Sequence, residues 1–230
     1  MKKSQNMELM GFSLQNFETL ESFAPFNTLS KGDLEDLNRI TTFKTFAPKE
    51  ILLYEQTEVH CLYFLCQGLL KLYKVNRFEN EVFLGLLENG LLLDFNLEGK
   101  LISFANIECM QDSIVACFDG EKFTKLLESN PRLLTLFFKE AQKKIALFEE
   151  VIQKNLIFDS TAKIAYALYF DLDKFNAHKK QDNAIFLNIQ PETLSRTLKK
   201  LHRDNILITN KQGKIEIINP QKLYNIFKQD

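Results

Sequence analysis

The residues of this chain best suited to chemistry lie in one stretch, Pro191-Glu192-Thr193-Leu194-Ser195-Arg196-Thr197-Leu198-Lys199-Lys200-Leu201-His202-Arg203. Leu194, Leu198 and Leu201 recur at helical spacing and form an inward apolar stripe. Pro191 suits the first turn, where a missing N–H costs nothing. Glu192, Ser195, Arg196 and Lys199 share a different face, at i, i+3, i+4 and i+7. That face carries an acceptor, a hydroxyl and a guanidinium, the groups that read base edges in the major groove of double-stranded DNA. Arg196 can donate two bonds to guanine O6 and N7, Glu192 can accept from cytosine N4, and Ser195 can meet thymine or a phosphate. Lys199, Lys200 and Arg203 lie further along and suit phosphates, which position without specifying. Thr193 and Lys180 complete the candidate DNA-binding set. Taken alone, the stretch is equally an ordinary amphipathic surface helix, so its flanks must decide.

Upstream, Lys180 to Leu187 reads as a short helix with Ala184 facing inward. Asn188 follows, and Asn tolerates the left-handed conformation of a tight turn. Helix, Asn188-Ile189-Gln190, helix is a helix-turn-helix pattern. Downstream, Ile206–Thr209 and Lys214–Ile218 alternate around Asn210-Lys211-Gln212-Gly213, which reads as a hairpin, or wing. With these residues in place the chain resembles the Crp/Fnr family of bacterial transcription regulators. The run Pro-Glu-Thr-Leu-Ser-Arg-Thr-Leu-Lys-Lys-Leu is similar to that family's recognition helix, with Asn188 where the family usually has Gly.

The N-terminal half carries the rest of the resemblance. Leu20 to Ile40 suggests two short helices, the second starting at Ser30 with Asp33 in its first turn and Leu29, Leu34, Leu37 and Ile40 facing a core. Short apolar runs then alternate with turn residues at Ile51–Tyr54, Leu62–Cys66, Leu69–Val75, Val82–Leu87, Leu91–Leu93, Ile107–Met110 and Ile114–Phe118. Many short strands in succession suggest a jelly roll. The segment from Leu62 to Tyr73 is similar to the family's β-roll signature, with Gly68 at the turn; two other family glycines are replaced by Lys49 and Gln56. After a short helix at Glu121–Glu128, Asn130-Pro131 caps a long one. Within it Leu134, Phe138, Ala141, Ile145, Phe148 and Ile152 are spaced 4, 3, 4, 3, 4, the seam of two helices packed lengthwise. Leu133, Leu136, Phe137, Leu147 and Val151 lie to its side. Asp159-Ser160 restarts a helix that runs to about Asp173.

The expected fold is thus α+β: an N-terminal double-stranded β-helix (jelly roll) over 1–128, a long dimerisation helix over 129–157, and a winged helix-turn-helix over 158–230. Charge divides accordingly. Residues 159–230 hold 12 Lys and Arg against 8 Asp and Glu, a net of +4, on a chain whose net charge is −1. A basic C-terminal part joined to an acidic N-terminal part fits a DNA-binding module. The abundance of Phe, Ile, Asn and Lys reads as composition bias. With no long apolar run and no signal-peptide core, a cytoplasmic protein with no membrane partner is expected.

The resemblance implies a homodimer on an inverted repeat with TTGA-like half-sites, read through Glu-x-x-Ser-Arg, with RNA polymerase as a further partner. The cyclic-nucleotide branch of the family holds phosphate with an Arg and a Ser or Thr, and ribose with a Glu. Here Ser103 and Phe104 stand at the first pair and Leu93 near the Glu, and no Arg occurs between Arg77 and Arg132. A buried phosphodiester without a cation is costly, so cyclic AMP is disfavoured. The iron–sulfur branch uses N-terminal cysteines; none precedes Cys61, and the four cysteines lack Cys-x-x-Cys spacing, so a cluster is disfavoured as well. Cys61, Cys66, Cys109 and Cys117 read as small buried hydrophobes, while a thiol or haem sensor stays open. Three His in different parts of the chain assemble no metal set, and no P-loop or nucleophile elbow occurs, so an enzyme is not expected. The rival from another class is a β-roll adaptor whose C-terminal domain contacts protein.

Overall fold

The structure, a computed structural model, describes residues 19–92 and 101–228. Residues 1–18, and with them the polar N-terminal segment, lie outside the described residues, as does Leu93. The chain forms two compact units interleaved in sequence. One comprises the chain up to Leu70 with Leu87–Gln142; the other comprises Lys71–Leu86 with Lys143 onward.

The first unit opens with two 3-10 turns, Leu20–Ser22 and Phe26–Thr28, where the apolar spacing suggests a helix. Pro25 between them has no N–H to donate to a helical ladder. Helix α1 (Lys31–Asn38) begins as expected, Ser30 Oγ accepting from the Asp33 N–H at 3.3 Å. Leu34 and Leu37 are buried, Leu29 and Ile40 only partly.

The strands are β1 (Thr41–Phe46), β2 (Ile51–Leu53), β3 (Glu58–Val59), β4 (Cys61–Gln67), β5 (Leu70–Val75), β6 (Glu81–Leu87), β7 (Gly90–Leu91), β8 (Leu101–Ile102), β9 (Asn106–Cys109) and β10 (Ser113–Asp119). They form two four-stranded sheets, ordered β1-β10-β4-β7 and β2-β9-β5-β6, with β3 paired to β8. β10 pairs antiparallel with β1 and β4, Ala116 standing opposite Phe43 and Phe64. The run Thr41–Phe46 lies within the region that reads as strands but is not among its apolar runs, because its Phe residues are interleaved with Thr and Lys. It is an edge strand, which that composition suits.

Gly68 is the turn the sequence singles out. Its φ is +127°, and a Cβ there would stand 2.3 Å from Ser113 Oγ and 2.8 Å from Ser113 Cα. Lys49 (φ 71°) and Gln56 (φ 64°) keep the left-handed conformation where glycines are replaced. The first unit's interior is aromatic. Phe26, Phe64, Phe118 and Phe137 are fully buried, with Phe26 and Phe64 rings 4.7 Å apart, Phe118 and Phe137 5.7 Å apart, and Phe123 and Phe137 4.7 Å apart. Edge and tilted contacts of this kind add roughly 0.5–1.5 kcal/mol each beyond area burial. The phenylalanine content is therefore structural, not merely composition bias.

Helix α2 (Gly120–Ser129) is capped by Asp119, whose side chain accepts from the Lys122 N–H. Helix α3 (Pro131–Ile152) follows, with Asn130 Oδ1 accepting from Arg132 and Leu133 N–H at 3.1 and 3.2 Å. A π-helical turn, Gln153–Ile157, ends it.

The second unit continues with α4 (Ser160–Phe170), capped by Asp159. The expected helix to Asp173 instead breaks at Asp171 (φ −128°, ψ 34°), and a separate α5 (Leu172–Ala177) follows. Then come α6 (Lys180–Phe186), α7 (Pro191–Arg203), β11 (Leu207–Thr209), β12 (Ile215–Ile217) and α8 (Pro220–Phe227). The core joins Leu168, Ala184, Leu194, Leu198, Leu201, Leu207, Leu223 and Phe227. Helix α8 is absent from the sequence expectation, yet it closes the core through Leu223 and Phe227.

Candidate nucleic-acid interface

Helix α7 has the two faces its spacing implies. Leu194, Leu198 and Leu201 are buried, with Leu194 at 0% exposure. Glu192, Arg196, Lys199, Lys200 and Arg203 are exposed, and Ser195 and Thr193 partly so. Lys180 stands exposed at the start of α6, separate from the α7 row in sequence but bordering the same concavity as Ser195 and Lys199. Among the described residues the Arg196 guanidinium has one hydrogen bond, to Thr193 Oγ1 at 3.4 Å. Arg203 lies 3.9 Å from Asp204, too exposed a pair to immobilise either group. The face therefore presents its donors and acceptor to solvent.

Three asparagines hold this face in place. Asn188 sits at φ 52°, the left-handed turn between α6 and α7. Its Oδ1 accepts from the Phe83 N–H at 2.7 Å, and its Nδ2 donates to the Phe83 carbonyl at 2.7 Å and to Asn155 Oδ1 at 3.1 Å. β6 is the outer strand of its sheet, so the carboxamide stands where a neighbouring strand would. Asn176 does the same for the wing: Oδ1 accepts from Ile215 N–H at 2.8 Å and Nδ2 donates to Ile215 O at 2.9 Å. Asn210 shapes the wing's tip, accepting from Gln212 and Lys214 N–H at 3.0 Å each, with Gly213 at φ +79°. The wing pairs Leu207 with Ile217 and Thr209 with Ile215. Asparagine abundance, read from the sequence as composition bias, is thus partly architectural. Its signal was the placement of Asn176, Asn188 and Asn210 at element ends, where Asn can bond the backbone.

A cleft of about 510 Å³ runs between α7, the wing and the start of α6, lined by Lys180, Ser195, Lys199, His202, Thr209 and Gly213 among others. His178 and His202 both border it; sequence reasoning placed neither in the site. Among the described residues no group of three metal-ligating side chains assembles.

Two families match the chain in succession: a cyclic nucleotide-binding domain over residues 43–130 and a Crp-like helix-turn-helix domain over residues 173–226. The chain belongs to the Crp/Fnr family. Like other Crp/Fnr proteins it is a transcription regulator with a helix-turn-helix DNA-binding domain. It is 23% identical over 223 residues to the transcriptional activatory protein AadR of Rhodopseudomonas palustris, covering 92% of each chain. In fold it is similar to CooA from Carboxydothermus hydrogenoformans, solved as a mutant, with TM-score 0.68, 18% identity, and 91% and 95% of the two chains covered. It is likewise similar to FixK2 from Bradyrhizobium japonicum, with TM-score 0.61, 18% identity, and 83% and 99% covered.

Four of the six heptad-spaced positions on α3 are exposed in the single chain. Leu134 is 50% exposed, Phe138 60%, Ile145 57% and Ile152 55%, while Ala141 and Phe148 are partly buried. Leu133 and Phe137, to the side, are fully buried. Ser103 is buried and its Oγ donates to the Ala105 carbonyl at 2.8 Å. Cys66, Cys109 and Cys117 are buried and Cys61 partly so. Burial pushes the Cys66 thiol up to about 12 and the Cys117 thiol up to about 11, which keeps both protonated and unreactive near neutral pH. Among the described residues no helix is long and apolar enough to cross a membrane.

Proposed function

We propose that this regulator is a cytoplasmic homodimer, joined through α3, that reads an inverted repeat of TTGA-like half-sites with α7. The observation that carries the reading is the Glu192, Ser195, Arg196 row, with Glu192 and Arg196 exposed and Ser195 partly so, on a helix whose opposite face is buried. Arg196 takes guanine, Glu192 the cytosine amine of a neighbouring pair, and Ser195 a thymine or phosphate. Thr193, Lys180, Lys199, Lys200 and Arg203 hold the backbone. The seam Leu134, Phe138, Ala141, Ile145, Phe148 and Ile152 supplies the two-fold axis, which sets the half-sites about one helical turn apart. Residues 1–128 act as the sensor, 129–157 as the dimer helix and 158–230 as the DNA-binding segment, with RNA polymerase as the further partner.

Gel-shift titration of the full chain on a TTGA-type inverted repeat and on a repeat with its guanines replaced tests this reading. Preference for the first, lost in Arg196→Ala, is expected. Equal affinity of wild type for both would overturn it. The β-roll's signal is read as something other than a cyclic nucleotide, because the Ser103 hydroxyl is spent on Ala105 and no Arg stands nearby in sequence. Calorimetric titration with cyclic AMP and cyclic GMP should give no saturable heat, and micromolar binding of either would refute this.

A further inference from the structure

The second compact unit holds a cavity of about 230 Å³, open on one side and lined by β6, the last turns of α3, α4, α5 and α6. Phe83, Leu147, Val151, Phe175 and Phe186 make its apolar wall. Into it faces Lys163. Among the described residues its ammonium has a single partner, the Asn155 carboxamide oxygen at 3.2 Å. An ammonium has three N–H donors, and a carboxamide brings no countercharge. The nearby cation Lys154 is already matched, paired with Glu150 and lying 4.9 Å from the Tyr166 ring centre. Lys174 and His178 border the cavity from exposed positions, and Asp171 from a partly buried one like that of Lys163.

A half-buried cation set against apolar walls, with only a neutral hydrogen-bond partner, is stabilised when an anion joins it. Burial alone lowers the Lys163 pKa, with no charged neighbour contributing, as expected for an ammonium short of countercharge. Small-molecule sites have this make-up: apolar walls with a few convergent polar groups. A cleft of this size suits a small molecule. We propose that this cavity binds a small organic monocarboxylate with an apolar body, its carboxylate on Lys163 and its body against the phenylalanines. The occupant would also meet Asn188, which lines the same cavity, and so touch the residue that forms the turn before α7.

The test uses the full-length protein without DNA, so its outcome is independent of the DNA code proposed above. Phenylacetate and hexanoate are titrated by calorimetry, with 2-phenylethanol and hexanol as uncharged partners of matched shape. The acids should bind at least about tenfold tighter than the alcohols, as a charge-assisted contact requires. Lys163→Met should abolish that advantage while leaving the thermal midpoint unchanged or raised, since it removes a desolvated charge. Lys163→Arg should keep it. Ala167→Leu, which adds apolar volume to the cavity wall, should weaken acids and alcohols alike. No saturation by either acid below about 1 mM, equal binding of acids and alcohols, or an undiminished acid preference in Lys163→Met would each overturn the proposal.

Discussion

Helices α3 and α7 are both amphipathic and both leave one face uncovered in the single chain, but the two faces are opposites. On α3 the uncovered row is apolar, with Phe138 60% and Ile145 57% exposed. On α7 it is Glu192, Arg196, Lys199 and Lys200. Water solvates the second row at no cost and the first only at a penalty, since monomeric proteins rarely show a contiguous apolar stripe. The difference supports the use proposed for each face. An apolar seam at heptad spacing is completed by a copy of itself, and a charged, hydrogen-bonding row is completed by a polyanion with readable edges. The two helices also differ in how they are held: α3 is anchored by aromatic packing, α7 by leucines behind it and by carboxamide clamps at the turn and wing.

The sharpest way to break this comparison is to give the α3 face the character of the α7 face. Ile145→Glu sets two carboxylates into the proposed dimer seam. Uncompensated buried charge costs about 3–5 kcal/mol, so the dimer constant should weaken by roughly two to four decades. Light scattering should then report monomers with unchanged secondary structure. An unchanged dimer mass would place the interface elsewhere.

A loss of stability rather than of assembly is expected from the clamp before α7. Asn188→Ala removes two hydrogen bonds to Phe83 at 2.7 Å and one to Asn155 at 3.1 Å and forces a less tolerant residue to φ 52°. A left-handed alanine costs about 1–2 kcal/mol, and each lost bond about 0.5–1.5 kcal/mol. Denaturant titration should show a loss of about 2.5–6.5 kcal/mol. Asn188→Gly keeps the conformation and loses only the bonds, so it should recover the conformational part. If the two variants are equally stable, the φ value carries none of the cost.

How much of this was legible in the sequence follows from where each signal is stored. The faces of α7, the Ser30 and Asn130 caps and the exposed apolar row of α3 are periodic or local, so spacing reveals them. The turn at Asn188 is legible because few residues accept positive φ. Its pairing with Phe83 is not, since 105 positions separate the two and nothing local marks a carboxamide as a strand's neighbour. Thr41–Phe46 and α8 escape for a related reason: their identity depends on what covers them. The break at Asp171 escapes because the apolar pattern of Tyr166–Leu172 continues through it. Lys163 escapes because one lysine in an amphipathic helix looks like a solvated face until its surroundings are assembled.

Within α7 the comparison narrows to two residues. Arg196→Ala should cost on the order of 1–3 kcal/mol on the guanine-containing site and erase the preference over the altered one. Competition gel shifts on both duplexes measure this, and a uniform loss on both would reassign Arg196 to the backbone.

Lys199→Ala is the smallest change and separates reading from holding. Lys199 is one helical turn beyond Ser195, exposed, and borders the cleft beneath the wing. Its ammonium is a rotatable point charge rather than a planar fork, suited to a phosphate oxygen and poor at distinguishing bases. A phosphate contact contributes by releasing a condensed counterion, so losing one per subunit should reduce the slope of log affinity against log salt by about 0.9 per subunit, or about 1.8 for a dimer. Affinity on the two duplexes should fall by the same factor, with their ratio intact. The measurement is a salt series from about 50 to 200 mM on both sequences. A changed ratio with an unchanged slope would mean that Lys199 reads bases. The reading row would then extend a full turn further along α7 than Glu192, Ser195 and Arg196.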